Sequence, residues 1–70
     1  MTRQPVSSST IRSVGYDRSE GTLEVEFIRG GVYQYIGVPE FLYLGFLLTS
    51  SKGQYFNNKI QGRYKERHVD

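Results

Sequence analysis

Val32–Leu48, VYQYIGVPEFLYLGFLL, decides how this chain folds. It opens with the aromatic alternation Tyr33-Gln34-Tyr35, turns at Gly37-Val38-Pro39 and continues into an unusually apolar segment. Pro39 suits the first position of a helix, where its missing N–H leaves nothing unpaired and its φ is already helical. The stretch therefore predicts a strand that hands over directly to a helix, each burying one side of the other. At 3.6 residues per turn, Leu42, Tyr43, Phe46 and Leu47 share one side of that helix. Phe41, Leu44 and Leu48, with Gly45 between them, share the opposite side. A domain of 70 residues has no second core to receive that side. Phe41, Leu44, Gly45 and Leu48 are therefore expected to form a self-association surface, with Gly45 letting two helices approach closely. The alternative is that the second helix and the N-terminal segment wrap over it.

Upstream, Thr22–Ile28 shows the cleanest alternation: Leu23, Val25 and Phe27 inward, Thr22, Glu24 and Glu26 toward water. Arg29-Gly30-Gly31 is a hairpin turn of the kind two glycines permit. Ile11–Tyr16 reads as a further strand, closed by the turn Asp17–Gly21. The run Ser7–Thr10 can cap or turn the chain through hydroxyl-to-backbone hydrogen bonds. Downstream, Pro39–Thr49 is the first helix and Gln54–Tyr64 contains the second. Ser50-Ser51-Lys52-Gly53 connects them with two candidate N-caps. Gly62 weakens or ends the second helix. The order is β-β-β-α-α: a three-stranded antiparallel meander followed by two helices packed on one face, a small α+β fold. It is a single domain over residues 1–70, with a core of about 6–64 and loose tails at 1–5 and 65–70.

A chain this short buries only about 60% of its unfolded surface, so help from self-association, a ligand or aromatic packing is expected. There are no cysteines and one histidine, His68. Disulfides, thiolate nucleophiles and histidine- or cysteine-based metal sites are excluded, and no cofactor is expected. No apolar run approaches the roughly 18 residues of a membrane span, and MTRQPVSSST lacks an apolar signal core, so a soluble cytoplasmic protein is expected. The formal net charge of +2 is unevenly spread. Lys52, Lys59, Arg63, Lys65 and Arg67 face only Glu66, while Asp17, Glu20, Glu24, Glu26 and Glu40 face Arg18 and Arg29. Glu24 and Glu26 lie on one strand face, but a water-exposed carboxylate pair is a poor acid–base site. The sequence does not read as an enzyme.

The succession Val6-Ser7-Ser8, Ile11, Val14-Gly15-Tyr16-Asp17, Thr22–Phe27, Tyr33-Gln34-Tyr35, Val38-Pro39, Tyr43, Ser51-Lys52-Gly53, Tyr55-Phe56-Asn57, Ile60 and Tyr64 resembles the KTSC domain. That module is named for its place at the C-terminus of some lysyl-tRNA synthetases and also occurs as small stand-alone proteins. The resemblance implies a domain without a settled biochemical function, for which RNA binding has been suggested, and it implies no catalytic residues. Phe41, Leu44 and Leu48 depart from the family pattern, which usually has smaller or polar residues there.

Three features can carry function. Tyr33 and Tyr35 point to one side of their strand, and paired sheet aromatics stack bases in several RNA-binding modules; the alternative is that both rings are core. Ser50-Ser51-Lys52-Gly53 leads into a helix whose N–H groups and partial positive charge can hold a phosphate; the alternative is an ordinary serine-capped helix. It lacks the longer glycine-lysine-serine/threonine pattern of a triphosphate loop. Asn57, Asn58, Lys59 and Arg63 are the third: Lys59 and Arg63, four apart, can form a basic strip with Lys52 beside Tyr55, the alternative being a solvated helix face. The leading expectation is a non-catalytic module that binds RNA or another phosphate-bearing nucleic acid. Arg12, Lys52, Lys59 and Arg63 would contact phosphates, and Tyr55 or Tyr33 would support bases. A second possibility is a homo-oligomer that captures a nucleotide-type small molecule between subunits; a third is a protein–protein interaction module.

Overall fold

The computed structural model describes residues 1–70. Its elements are β1 (Gln4–Pro5), β2 (Ile11–Asp17), β3 (Thr22–Phe27), β4 (Val32–Ile36), α1 (Glu40–Leu48), α2 (Lys52–Lys59) and β5 (Lys65–His68). The strands form one antiparallel sheet in the order β1-β2-β3-β4-β5. The α+β class and the central meander are as expected, but the sheet has five strands rather than three. Both terminal segments expected to be loose are edge strands. Pro5 is compatible with such an edge, where no neighbour needs its missing N–H. At the other end, Gly62 at φ +78 ends the helical region and sends the chain back along β4, pairing Tyr33 with His68 and Gln34 with Arg67. Nothing in Lys65-Glu66-Arg67-His68 has the apolar alternation of a strand. What holds it is cross-strand contact: the His68 ring stacks on Tyr33 at 4.6 Å, and Arg67 donates to Gln34.

The helices cover one sheet face. Against them lie Ile11, Val14, Leu23, Val25 and Tyr35, closed over by Val38, Phe46, Phe56 and Ile60. Phe56 is the centre of this layer, meeting Phe27 and Tyr35 edge to face at 5.4 and 5.2 Å. Tyr16 and Tyr43 stack at 5.0 Å on the β2 side. The β3–β4 turn depends on Gly30 and Gly31, at φ +116 and +92, which side chains rarely adopt.

The other sheet face is not simply open to water, contrary to expectation. Thr22 and Glu24 are each only 7% exposed. The segment ahead of β1 brings Arg3 across β2, where it donates to Ser13 (3.0 Å) and forms an ion pair with Glu24. Gln34 donates to the second Glu24 oxygen at 2.8 Å, and Ser13 donates to Glu26 at 2.8 Å. A polar ladder therefore runs from Arg3, ahead of β1, past Ser13 on β2 to Glu24, Gln34 and Arg67 on β3, β4 and β5. Burial by itself would raise the Glu24 pKa, but the hydrogen bonds from Gln34 and Arg3 outweigh it and hold the carboxyl below its ordinary value.

α2 begins at Lys52, two residues earlier than expected, and stops at Lys59. Gly53 is thus inside the helix and lies close against Thr10: a Cβ there would sit 3.0 Å from Thr10 Oγ1, so that side chain would have to give way. The turn between the helices is tied by Lys52. Its Nζ donates to the carbonyls of Phe46 (3.2 Å), Leu47 (3.3 Å) and Thr49 (2.6 Å), oxygens left unpaired where α1 ends. Tyr55 completes the join, donating to the Leu42 carbonyl at 2.9 Å. Its hydroxyl fills the space where a side chain at residue 45 would sit. Gly45 therefore serves contact between α1 and α2 of one chain, which corrects its expected role in bringing two copies together. Phe41, Leu44 and Leu48 are 70%, 45% and 87% exposed; neither α2 nor the N-terminal segment covers them.

Two consequences are measurable. The folded chain keeps Glu24 ionised to lower pH than the unfolded chain, so its contribution is complete above the unfolded value of about 4.3 and is lost as pH falls through the lower folded value. In urea unfolding from pH 7 to 3, wild type should lose stability faster than Glu24→Gln below about pH 4.3, and the gap between them should narrow. A gap constant with pH would remove Glu24 from the account. Lys52→Met keeps the stem but leaves three carbonyls without the ammonium, and should cost about 1.5–3 kcal/mol in urea unfolding at neutral pH. A loss below about 0.5 kcal/mol would mean that water replaces it.

Candidate functional site

The start of α2 faces the segment Ser7–Thr10 across a cleft of about 470 Å³. One wall is Ser7–Thr10; the other is Ser50–Gln54 with Asn57 and Asn58 one turn further on. Local chemistry shapes both walls. Ser8 Oγ accepts from the N–H groups of Thr10 (3.1 Å) and Ile11 (3.2 Å), curling the serine run just before β2. Thr10 is anchored by the Ile28 N–H, which donates to its carbonyl at 2.9 Å. Gly53 lets Thr10 lie against the helix. The two walls are therefore fixed relative to each other by contacts at their base.

No carboxylate and no apolar side chain lines this cleft. Ser51 occupies the N-cap position yet makes no side-chain cap, and the first helical hydrogen bond is Tyr55 N–H to the Ser51 carbonyl at 2.9 Å. The N–H groups of Lys52, Gly53 and Gln54 have no partner within the protein. Around them stand serine and threonine hydroxyls and the amides of Gln54, Asn57 and Asn58. A helix N-terminus in such a setting offers hydrogen-bond donors and a partial positive charge to an anion.

Of the residues picked out from sequence, the cleft gathers Ser51, Lys52, Gly53 and Asn57. Lys52 contributes its backbone, because its ammonium is turned away onto α1. Arg12 lies 4.0 Å from Glu26, and Tyr55 is packed between the helices. Lys59 occupies the last turn of α2, and Arg63 donates to the Asn58 carbonyl at 2.9 Å, so neither reaches the first turn. Ser50 and Asn58, singled out beside Ser51 and Asn57, line the cleft too. Ser7–Thr10 and Gln54 were missed, and the only signal for Ser7–Thr10 was the serine run, which sequence explains equally well as a turn.

The tyrosine pair divides. Tyr35 is 2% exposed and belongs to the core, so it offers no face for base stacking; burial, then the nearby Glu66 carboxylate, raises its pKa above the ordinary value. Tyr33 is half-buried, with His68 on its ring and Phe27 against it edge-on at 5.7 Å. No three His, Cys, Asp or Glu side chains come together as a metal-holding group. No helix is long and apolar enough to cross a membrane.

Comparison with known proteins places this geometry in a family. An uncharacterized protein from Stutzerimonas stutzeri is 42% identical over 64 residues, 91% of this chain and 90% of that protein. A lysine–tRNA ligase from Nostoc punctiforme is 39% identical over 57 residues, which are 81% of this chain but 10% of that enzyme. The crystal structure of a KTSC domain protein from Yersinia pestis matches with a TM-score of 0.96 at 45% identity, covering 99% of this chain and 97% of that one. The family model of the KTSC domain matches residues 7–64, from the serine run of the cleft to the residue before β5, and the chain belongs to the KTSC domain family.

Proposed function

We propose that this chain is a non-catalytic binding module for RNA or another phosphate-bearing nucleic acid, with the cleft at the start of α2 receiving a phosphate. The observation that supports this is the composition of the cleft: an uncapped helix N-terminus ringed by hydroxyls and amides, with no carboxylate to repel an anion. A phosphate seated there accepts from the N–H groups of Lys52, Gly53 and Gln54 and from the facing hydroxyls. Lys59 and Arg63 take part in no ion pair and supply positive charge further along the chain. The likeness to a stretch of lysine–tRNA ligases, enzymes named for joining lysine to tRNA, agrees with a nucleic-acid partner.

Ser51→Asp tests the assignment without threatening the fold. Aspartate is as good an N-cap as serine, so thermal stability should be unchanged or higher. Its charge stands where the phosphate would sit. Fluorescence anisotropy with a labelled single-stranded RNA should show affinity at least about tenfold weaker, a loss of about 1.4 kcal/mol, while Ser51→Asn stays near wild type. Wild-type affinity should also fall steeply as salt rises. Equal affinity for wild type and Ser51→Asp would overturn the phosphate assignment.

The exposed stripe Phe41, Leu44 and Leu48 supports self-association between copies of the chain. Three side chains fall well short of the roughly 1,200–2,000 Å² buried in a stable complex, so association through them alone is weak and depends on concentration. Sedimentation across a concentration series should show wild type passing from monomer to a larger species, and Leu44→Glu with Leu48→Glu remaining a folded monomer. Wild type that stays monomeric at the highest concentration removes the role of the stripe.

A further inference from the structure

The cleft does not end at the first turn of α2. Thr10 and Asn57, which line it, also line a second groove of about 390 Å³ between the β3–β4 turn, α2 and β5. The floor of this groove is aromatic: Phe27 and Tyr33 at the surface, with Phe56 and Tyr35 beneath them. These rings interlock edge to face, and His68 stacks on Tyr33 with 17° between the planes, so the floor is stiff. On the rim stand two opposite charges, Arg29 from the turn and Glu66 from β5. Neither is in an ion pair.

An apolar occupant would cover the rim and desolvate an unpaired cation and a carboxylate whose one protein partner is the Tyr35 hydroxyl. The groove suits a flat polar ring that carries acceptors on one edge and donors on another. Among nucleobases guanine meets both demands. Its O6 and N7 acceptors match a guanidinium, and its N1–H and exocyclic amino group present two adjacent donors to a carboxylate. Adenine sets a ring acceptor beside its amino group, and that lone pair would face the Glu66 oxygens. We infer that this groove is a guanine subsite, joined through Thr10 and Asn57 to the phosphate cleft so that one guanosine phosphate spans both. The inference rests on the phosphate assignment for its second half only. The same chemistry is offered by a free guanine nucleotide and by a guanosine within single-stranded RNA.

Calorimetric titration with guanosine 5′-monophosphate, adenosine 5′-monophosphate and guanosine separates the parts. Wild type should bind the guanine nucleotide at least tenfold more tightly than the adenine one. Glu66→Gln, at an exposed position that still offers Tyr35 an acceptor, should abolish that difference, and Arg29→Gln should reduce it. If wild type binds both nucleotides equally while Ser51→Asp weakens both, the guanine subsite is overturned and the phosphate assignment stands. If guanosine binds as tightly as its phosphate and Ser51→Asp changes nothing, the phosphate assignment falls and the base subsite stands. Absence of binding by all three ligands and by an oligoadenylate containing one guanine overturns both. Tighter binding of that oligonucleotide than of the mononucleotide supports the subsite and assigns it to RNA; the reverse order supports it and assigns it to free nucleotide.

Discussion

The ammonium of Lys52, held by the carbonyls of Phe46, Leu47 and Thr49, is the contact from which the arrangement of the helical layer follows. α1 ends with its carbonyl oxygens and partial negative charge exposed, and a helix of nine residues has few other means of satisfying them. Lys52 is also the first residue of α2, so the same side chain that closes one helix sets where the next begins. With the corner fixed, Tyr55 falls into the space at Gly45 and Gly53 falls against Thr10. The second of these contacts sets the start of α2 beside the serine run. Loss of the ammonium would loosen the site as well as the fold.

How much of this could be read from sequence depends on where each element draws its stability. β3 was legible because one of its faces is apolar and the period of two is a direct consequence of strand geometry, whereas β4, with apolar residues on both faces, was legible as the return strand after the glycine turn. The two faces of α1 were legible for the same reason at a period of 3.6. β1 and β5 were not, because the contacts that hold them are between residues far apart in the chain. Arg3 reaches Glu24, Arg67 reaches Gln34 and His68 lies on Tyr33, and none of these pairs leaves a local pattern. The buried side of Glu24 was misread for the same reason: alternation separates two faces but does not say that a distant arginine covers one of them.

The site was only partly legible because its chemistry is mostly backbone. Ser51, Lys52 and Gly53 were found as a helix start, but the direction of the Lys52 side chain depends on the end of another helix. Gly45 and Gly53 show the same limit. A glycine in a helix signals a close approach without naming the neighbour. Here both neighbours, Tyr55 and Thr10, belong to the same chain. Lys59 and Arg63 lie outside the cleft, whereas folding carries the serine run to it.

The two faces of the sheet treat charge in opposite ways. On the face away from the helices, Arg3, Glu24, Gln34 and Arg67 hydrogen-bond one another from the segment ahead of β1 to β5. On the helical side, the first N–H groups of α2 lack protein partners, and Arg29 and Glu66 stand around an aromatic floor without an ion pair. A folded chain of this size has little stability with which to offset idle polar groups. The first N–H groups of α2 and the charges of Arg29 and Glu66 are gathered in two adjoining hollows that share Thr10 and Asn57, which is why function is sought there.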